Sequence, residues 1–434
     1  MGAFKDRVWE PRFTSGGLSR SQNRSATYRA YIPDPLAGRE FTFEAAAAAD
    51  VADAERNIAQ LDLESRALAN TEALARILLR AEAVASSRIE GLTVSAQRLL
   101  RADVARAEGD QITDATAVEV LANVDAMTYA TESPELEISV DRILEFHRRL
   151  LTPTRLAPHA GRIRTAQNWI GGTSYNPFGA AFVPPPPEDV PDLLDDLCKF
   201  CNDDLLPAVA QAAIAHAQFE TIHPFVDGNG RTGRALIHMI LRRRGLVTRT
   251  LVPVSLILAT HAQDYVAALQ SARYEGPPDS PQALKSTNEW VGLFAGACSR
   301  AVADAESFER RVEALRMEWR ARLGSMRADA SALALLDRLP ATPIVTVRSV
   351  QQALGVSYNA ANSAITALES AGILTKTRAG RRNRAFEARE LVDALTDLER
   401  QMASPDSDTR ISEPVREVPP TPERRTEASR PLRS

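Results

Sequence analysis

Six apolar residues, Ala235, Leu236, Ile237, Met239, Ile240 and Leu241, run together with only His238 between them. As a helix this segment is apolar nearly all round, and such a helix is stable only when other elements surround it. Arg242, Arg243, Arg244 and Gly245 follow and close its C-terminus, as dipole and capping preferences favour. The chain is therefore expected to be mainly α, a bundle built around this segment.

Enough further helices can be read to form that bundle. Phe43 to Leu100 is rich in Ala and Leu at helical spacing. Its clearest helix runs from Asn70, an N-cap, to Gly91, a residue suited to the left-handed position after a helix. Its apolar face is Leu74, Ile77, Leu78, Ala81, Val84 and Ala85. Helical blocks are also expected near 113–151, 190–202, 207–220 and 230–244, then on to about 327. His216 and His238 lie within apolar helices and read as core histidines, and Tyr265 and Trp290 suit the core as well as a binding pocket.

Composition removes several alternatives. A formal net charge of −4 excludes a chain that coats nucleic acid by positive charge throughout. Cys198, Cys201 and Cys298 are too few for a disulfide framework and point to a reducing compartment. Cys198 and Cys201 form a lone C-x-x-C without two further ligands for zinc, so they read as structural thiols. The first 13 residues lack the apolar stretch of a signal peptide, and arginines interrupt the most apolar region. A cytoplasmic protein that does not cross a membrane is the expectation.

The chemistry sits just before the central helix, in His223-Pro224-Phe225-Val226-Asp227-Gly228-Asn229-Gly230-Arg231-Thr232-Gly233-Arg234. Pro224 disfavours helical geometry at His223 and so ends the preceding helix. The Gly-rich loop can turn successive backbone N–H groups into one concavity, and the following helix adds its unpaired N-terminal donors. Arg231 and Arg234 share one face of the first turn, against the helix dipole, a placement that suits a polyanion between them. Asp227 could hold Mg²⁺, which binds through a carboxylate plus phosphates. His223, near neutral pKa, could take a proton from an incoming hydroxyl.

These twelve residues resemble the Fic family signature H-x-F-x-[D/E]-G-N-G-R-x-x-R at every specified position, and the similarity runs from about Phe43 to Arg300. The resemblance implies a Fic-fold helical bundle that transfers AMP from ATP to a Ser, Thr or Tyr hydroxyl of a protein, including itself. By position, His223 would be the base and Asp227 the Mg²⁺ ligand. Gly228, Asn229 and Gly230 would hold the α-phosphate, with Arg231 and Arg234 on the β- and γ-phosphates. The related Doc kinases carry Lys where this chain has Gly230, which favours AMP transfer over phosphorylation. A hairpin within about 167–183 would be the flap that pairs with an extended target segment.

Ser86-Ser87-Arg88-Ile89-Glu90-Gly91 resembles the family's inhibitory pattern [S/T]-x-x-x-E-[G/N]. Ser86 and Glu90 would then form a brake, with Glu90 on Arg234 blocking productive ATP placement. In some relatives the same glutamate assists removal of AMP, so a reverse activity stays open.

A different module follows. Three short helices, about 333–339, 347–354 and 358–371, precede strands at 373–377 and 384–387 around a basic turn, the pattern of a winged helix-turn-helix. Tyr358, Asn359, Asn362 and Thr366 line the polar side of its third helix, and DNA or a protein could dock there. The expected organisation is a flexible arm at 1–40, an N-terminal helical region with the inhibitory helix at 41–112 and a Fic core at 113–305. A connecting helix at 306–330, the winged module at 331–400 and a disordered tail at 401–434 complete it. A second reading is a DNA-binding regulator whose Fic domain senses nucleotide and modifies only itself. A homodimer also stays open.

Overall fold

The computed structural model describes residues 2–10, 25–67, 71–133, 136–173, 175–324, 330–378 and 384–401. The chain begins with two antiparallel strands, β1 (Ala3–Trp9) and β2 (Ala26–Ile32), registered from Ala3 on Ile32 to Trp9 on Ala26. Helices follow: α1 (Ala45–Ala67), α2 (Thr71–Ile89), α3 (Ala96–Ala107), α4 (Ala115–Glu132), α5 (Val140–Leu151), α6 (Val190–Cys201) and α7 (Ala208–Ile222). Then come α8 (Asn229–Arg243), α9 (Val254–Thr260), α10 (Ala262–Ser271) and the long α11 (Pro281–Leu323). The last elements are α12 (Ala330–Arg338), β3 (Ile344–Val345), α13 (Val347–Leu354), α14 (Tyr358–Ser370), β4 (Thr375–Arg378), β5 (Arg384–Glu387) and α15 (Arg389–Gln401).

The fold is mainly helical, and α8 is its centre. Every residue from Asn229 to Leu241 is buried, and α7, α4, α2 and α5 all pack on it. His216 and His238 are core residues as expected: His216 Nε2 meets the Tyr265 hydroxyl at 2.8 Å, and His238 Nε2 meets Glu82 Oε1 at 2.9 Å. Tyr265 and Trp290 are also buried, and Trp290 Nε1 donates to the Ala213 carbonyl at 2.7 Å. The three thiols are free and buried, and burial pushes Cys198 up to about 12.

Four expectations need correction. The arm at 1–40 is not without structure: β1 and β2 form a two-stranded sheet, with β1 largely exposed and Ala30 and Tyr31 of β2 buried, so little apolar alternation marked it. The flap strands reduce to one bridge, Ile170 with Phe182, because Gly171 and Gly172 at φ 76° and 71° turn the chain away. No boundary separates a core ending at 305 from a helix at 306–330, since α11 is continuous from Pro281 to Leu323. Residues 113–151 divide into α4 and α5, each with its own side-chain N-cap, Asp114 and Ser139. Asn70, the turn at 379–383 and the tail from 402 lie outside the described residues.

At the C-terminus, α12, α13 and α14 pack together, and the sheet order is β3-β5-β4. This unit rests on the N-terminal helices through Gln97 Nε2, which donates to Glu387 Oε1 at 3.0 Å, and on α11 through Arg316 and Asp337 at 2.8 Å. Among the described residues no helix is long and apolar enough to cross a membrane.

Candidate active site

The site lies where α7 stops and α8 begins. His223 caps α7 in the left-handed region, φ 48° and ψ 59°, the only non-glycine with positive φ among the described residues. That conformation costs about 1–3 kcal/mol and persists only if its surroundings over-determine it. Arg164 does so. Its Nε donates to the His223 carbonyl at 2.9 Å and its Nη2 to the Pro185 carbonyl at 2.6 Å, while its own N–H holds the Pro224 carbonyl at 2.9 Å. Asn168 Nδ2 adds a bond to the Phe225 carbonyl at 3.0 Å.

Phe225 anchors the next step of the loop in the core, fully buried, with its ring stacked on His147 at 3.7 Å. His147 Nδ1 accepts from the Gly161 N–H at 3.0 Å, so its Nε2 carries the proton and donates to the Asp227 carbonyl, also at 3.0 Å. Burial holds this imidazole neutral, down to about 4. Gly228 then turns at φ 80°, and a Cβ there would meet Leu150 Cδ2 at 3.1 Å. Neither Arg164 nor His147 stood out in the sequence. Each is a polar residue whose partners are backbone groups distant along the chain.

The Asn229 side chain is turned into the loop. Its Oδ1 accepts from the Phe225 N–H at 2.8 Å and its Nδ2 donates to the Phe225 carbonyl at 2.9 Å. The side chain is committed to the loop, leaving only the backbone N–H for a ligand. No side chain caps the N-terminus of α8.

Both first-turn arginines are buried, with side chains 4% exposed for Arg231 and 1% for Arg234, and each faces a carboxylate. Arg231 Nη2 donates to Asp227 Oδ1 at 2.9 Å, while its Nε and Nη1 are buried without a partner. Arg234 donates from Nε to Ser86 Oγ at 2.9 Å, and from Nη2 to the Ser86 carbonyl at 2.8 Å and Glu90 Oε1 at 2.7 Å. The Glu90 oxygen also lies directly over Gly230, only 2.0 Å from where a Cβ would stand. A carboxylate thus stands against the first turn of α8, on Arg234 and over Gly230. Burial opposes the Glu90 charge, but Arg234, assisted by Arg231 and His223, holds its carboxyl below the usual range. Arg234 is held further above its own ordinary value.

His223 is 19% exposed, and its Nδ1 lies 4.0 Å from Glu220 Oε2. Burial first, then the Arg164 charge, lowers the imidazole to about 4, so it is neutral at pH 7 and able to accept a proton. Burial raises the neighbouring Glu220 carboxyl to about 7. Asp227 is 47% exposed, with one oxygen on Arg231. An accessible carboxylate beside the N-terminus of α8 fits Mg²⁺, whose remaining ligands would be phosphate oxygens and water.

Residues 137–241 match the Fic/DOC family, and residues 48–132 match the Fic/DOC family N-terminal region. A protein adenylyltransferase of Caenorhabditis elegans is 40% identical over 134 residues, 30% of this chain and 23% of the relative. One of Drosophila willistoni is 33% identical over 227 residues, 49% of this chain and 42% of the relative. A probable protein adenylyltransferase of Aquifex aeolicus is 38% identical over 96 residues, 22% and 28% of the two chains. The chain thus spans less than half the length of these curated relatives. Among solved structures, a Fic family protein from Desulfovibrio desulfuricans covers 82% of this chain and 98% of its own, at TM-score 0.49 and 22% identity.

Proposed function

The chain carries a Fic/DOC-family domain with that family's N-terminal region, and on that premise we propose that it is an autoinhibited protein adenylyltransferase. It moves AMP from ATP to a hydroxyl side chain of a protein, itself included. One observation carries this reading. The N-terminus of α8 and its two arginines form a polyanion site beside a neutral imidazole, and Glu90 occupies part of it.

In the reaction the target hydroxyl oxygen attacks the α-phosphorus and forms the new P–O bond. The bond from that phosphorus to the β-phosphate bridging oxygen breaks, and pyrophosphate leaves. The hydroxyl proton passes to the His223 imidazole. Backbone N–H groups of Gly228, Asn229 and Gly230 orient the α-phosphate, and the unpaired Nε and Nη1 of Arg231 serve the phosphates beyond it. Mg²⁺ on Asp227 would supply charge neutralisation of the departing pyrophosphate. Arg234 joins the phosphates only after Glu90 leaves it, and Ser86 keeps its guanidinium in place meanwhile. The order α12-β3-α13-α14-β4-β5 supports a winged-helix reading of the C-terminal unit, whose α14 exposes Tyr358, Asn359, Asn362 and Thr366.

The test of the chemistry is label position. ATP labelled at the α-phosphate and, separately, at the γ-phosphate is incubated with Mg²⁺ and the Glu90→Gly protein, with and without His223→Ala. Protein-bound α-label that needs His223 supports AMP transfer. Bound γ-label instead would make the protein a kinase, and no label would remove the transferase reading.

A further inference from the structure

A large cavity lies away from His223. About 900 Å³ opens between α2, α3, α4, the C-terminal end of α8 and residues 341–342 ahead of β3. Arg242, on its wall, is 13 residues along α8 from Asn229, about 20 Å at 1.5 Å per residue. The volume falls in the range of small-molecule sites, roughly 300–1,000 Å³.

The walls carry an excess of positive charge. Arg76, Arg80, Arg106, Arg242 and Arg249 face Asp103, Asp125 and Glu132, a formal balance of +2. Two of the three carboxylates are already engaged. Asp103 meets Arg80 at 2.5 Å and Arg106 at 2.9 Å, and Asp125 meets Arg106 at 2.6 Å. Arg80 nevertheless stays below its ordinary pKa, chiefly through burial, with Arg106 and Arg76 adding to the effect against Asp103. Leu79, Val247 and Leu251 supply buried apolar wall beside these charges. A small dianion with an organic body fits such a site.

We propose that this cavity binds a phosphorylated small molecule of nucleotide size, and that binding keeps α2 seated with Glu90 on Arg234. The phosphate lies against the arginines and the organic part against Leu79, Val247 and Leu251. Arg76 and Arg80 belong to α2, and Glu90 follows directly on that helix. A ligand that needs these arginines in their present places stabilises the arrangement in which Glu90 reaches Arg234, by its differential affinity for that state. The binding claim stands by itself, whereas the consequence for activity rests on Glu90 acting as a brake.

Calorimetric titration of the full-length wild-type chain with GMP, and separately with inorganic phosphate, tests the site. GMP is expected to bind more tightly than phosphate, because only GMP reaches the apolar wall. Arg249→Glu, an exposed change outside any helix, should weaken GMP at least tenfold, and Arg231→Ala should leave it unaltered. Amide hydrogen exchange across α2 should slow on GMP addition, a readout independent of AMP transfer. No GMP binding at about 1 mM, an affinity indifferent to Arg249→Glu, or loss through Arg231→Ala would each overturn the site. Binding without slower exchange in α2 would overturn the coupling. If Glu90→Gly transfers no AMP, the functional reading fails and the calorimetric result still decides the cavity.

Discussion

Gly230→Ala should cost clearly more stability when Glu stands at position 90 than when Gly does. A Cβ at Gly230 falls 2.0 Å from Glu90 Oε1 and 2.9 Å from Arg234 Nη1. The carboxylate must leave, and since the Glu90 side chain is 35% exposed it has solvent to enter. Its charge-assisted bond to Arg234 is worth about 1.5–3 kcal/mol, discounted to about 1–2 kcal/mol for that exposure. The favourable placement at a helix N-terminus adds about 0.3–1 kcal/mol. Against this, Ala stabilises a helix over Gly by about 0.5–1 kcal/mol. The net expectation is a loss of roughly 1–2 kcal/mol in the wild-type background. In Glu90→Gly the helix gain stands against the remaining 2.9 Å approach to Arg234 Nη1, which the guanidinium end must relieve, so the same change should be near neutral, within about 1 kcal/mol. Arg234 keeps both bonds to Ser86 throughout. Urea unfolding of the four proteins, read as a double-mutant cycle, gives the coupling directly. Equal effects of Gly230→Ala in both backgrounds would refute the placement of Glu90 over α8.

Other outcomes follow from the same geometry. Asn229→Ala leaves the Phe225 N–H without its partner, while the Phe225 C=O keeps Asn168 Nδ2, and a loss of about 1–3 kcal/mol is expected in thermal or urea unfolding. Arg164→Lys cannot hold the same carbonyls and should lower kcat for AMP transfer at least tenfold, with a smaller effect on KM for ATP. His147 and His223, each lowered from 6.5 to about 4, bind fewer protons folded than unfolded. Their contribution to stability should therefore be present above pH 6.5 and fall away as pH drops towards 4. Glu220, raised from 4.5 to about 7, has the opposite sign and loses stability as pH rises through that window. Glu220→Gln should accordingly gain on wild type by roughly 3 kcal/mol between pH 5 and 8, measured as the difference in urea stability. An unchanged difference would show that the Glu220 carboxyl is not held protonated.

Much of this was legible before any coordinates, and the reason is local. Ala235–Leu241 had to be buried, and α8 is the buried centre. The helix expected to end before Gly91 does so, with α2 closing at Ile89 and Gly91 at φ 80°. The loop of His223 to Arg234 carries its chemistry in consecutive residues. What escaped notice depends on distant partners. Arg164 acts through backbone carbonyls at 185 and 223, and His147 through Gly161 and Asp227. That Phe225 takes both ends of the Asn229 amide is likewise not visible in the neighbouring residues. The β1–β2 pairing escaped because β1 is largely exposed and the buried residues of β2, Ala30 and Tyr31, are adjacent, so neither strand shows a clean period of two.

The most direct measurement compares AMP transfer by wild type and Glu90→Gly, from α-labelled ATP with Mg²⁺, at several ATP concentrations. If Glu90 holds the anion position on Arg234, wild type should incorporate little AMP, and Glu90→Gly should incorporate at least tenfold more with tighter apparent ATP affinity. Equal rates and equal affinities in the two proteins would contradict the account of a site held shut by its own carboxylate.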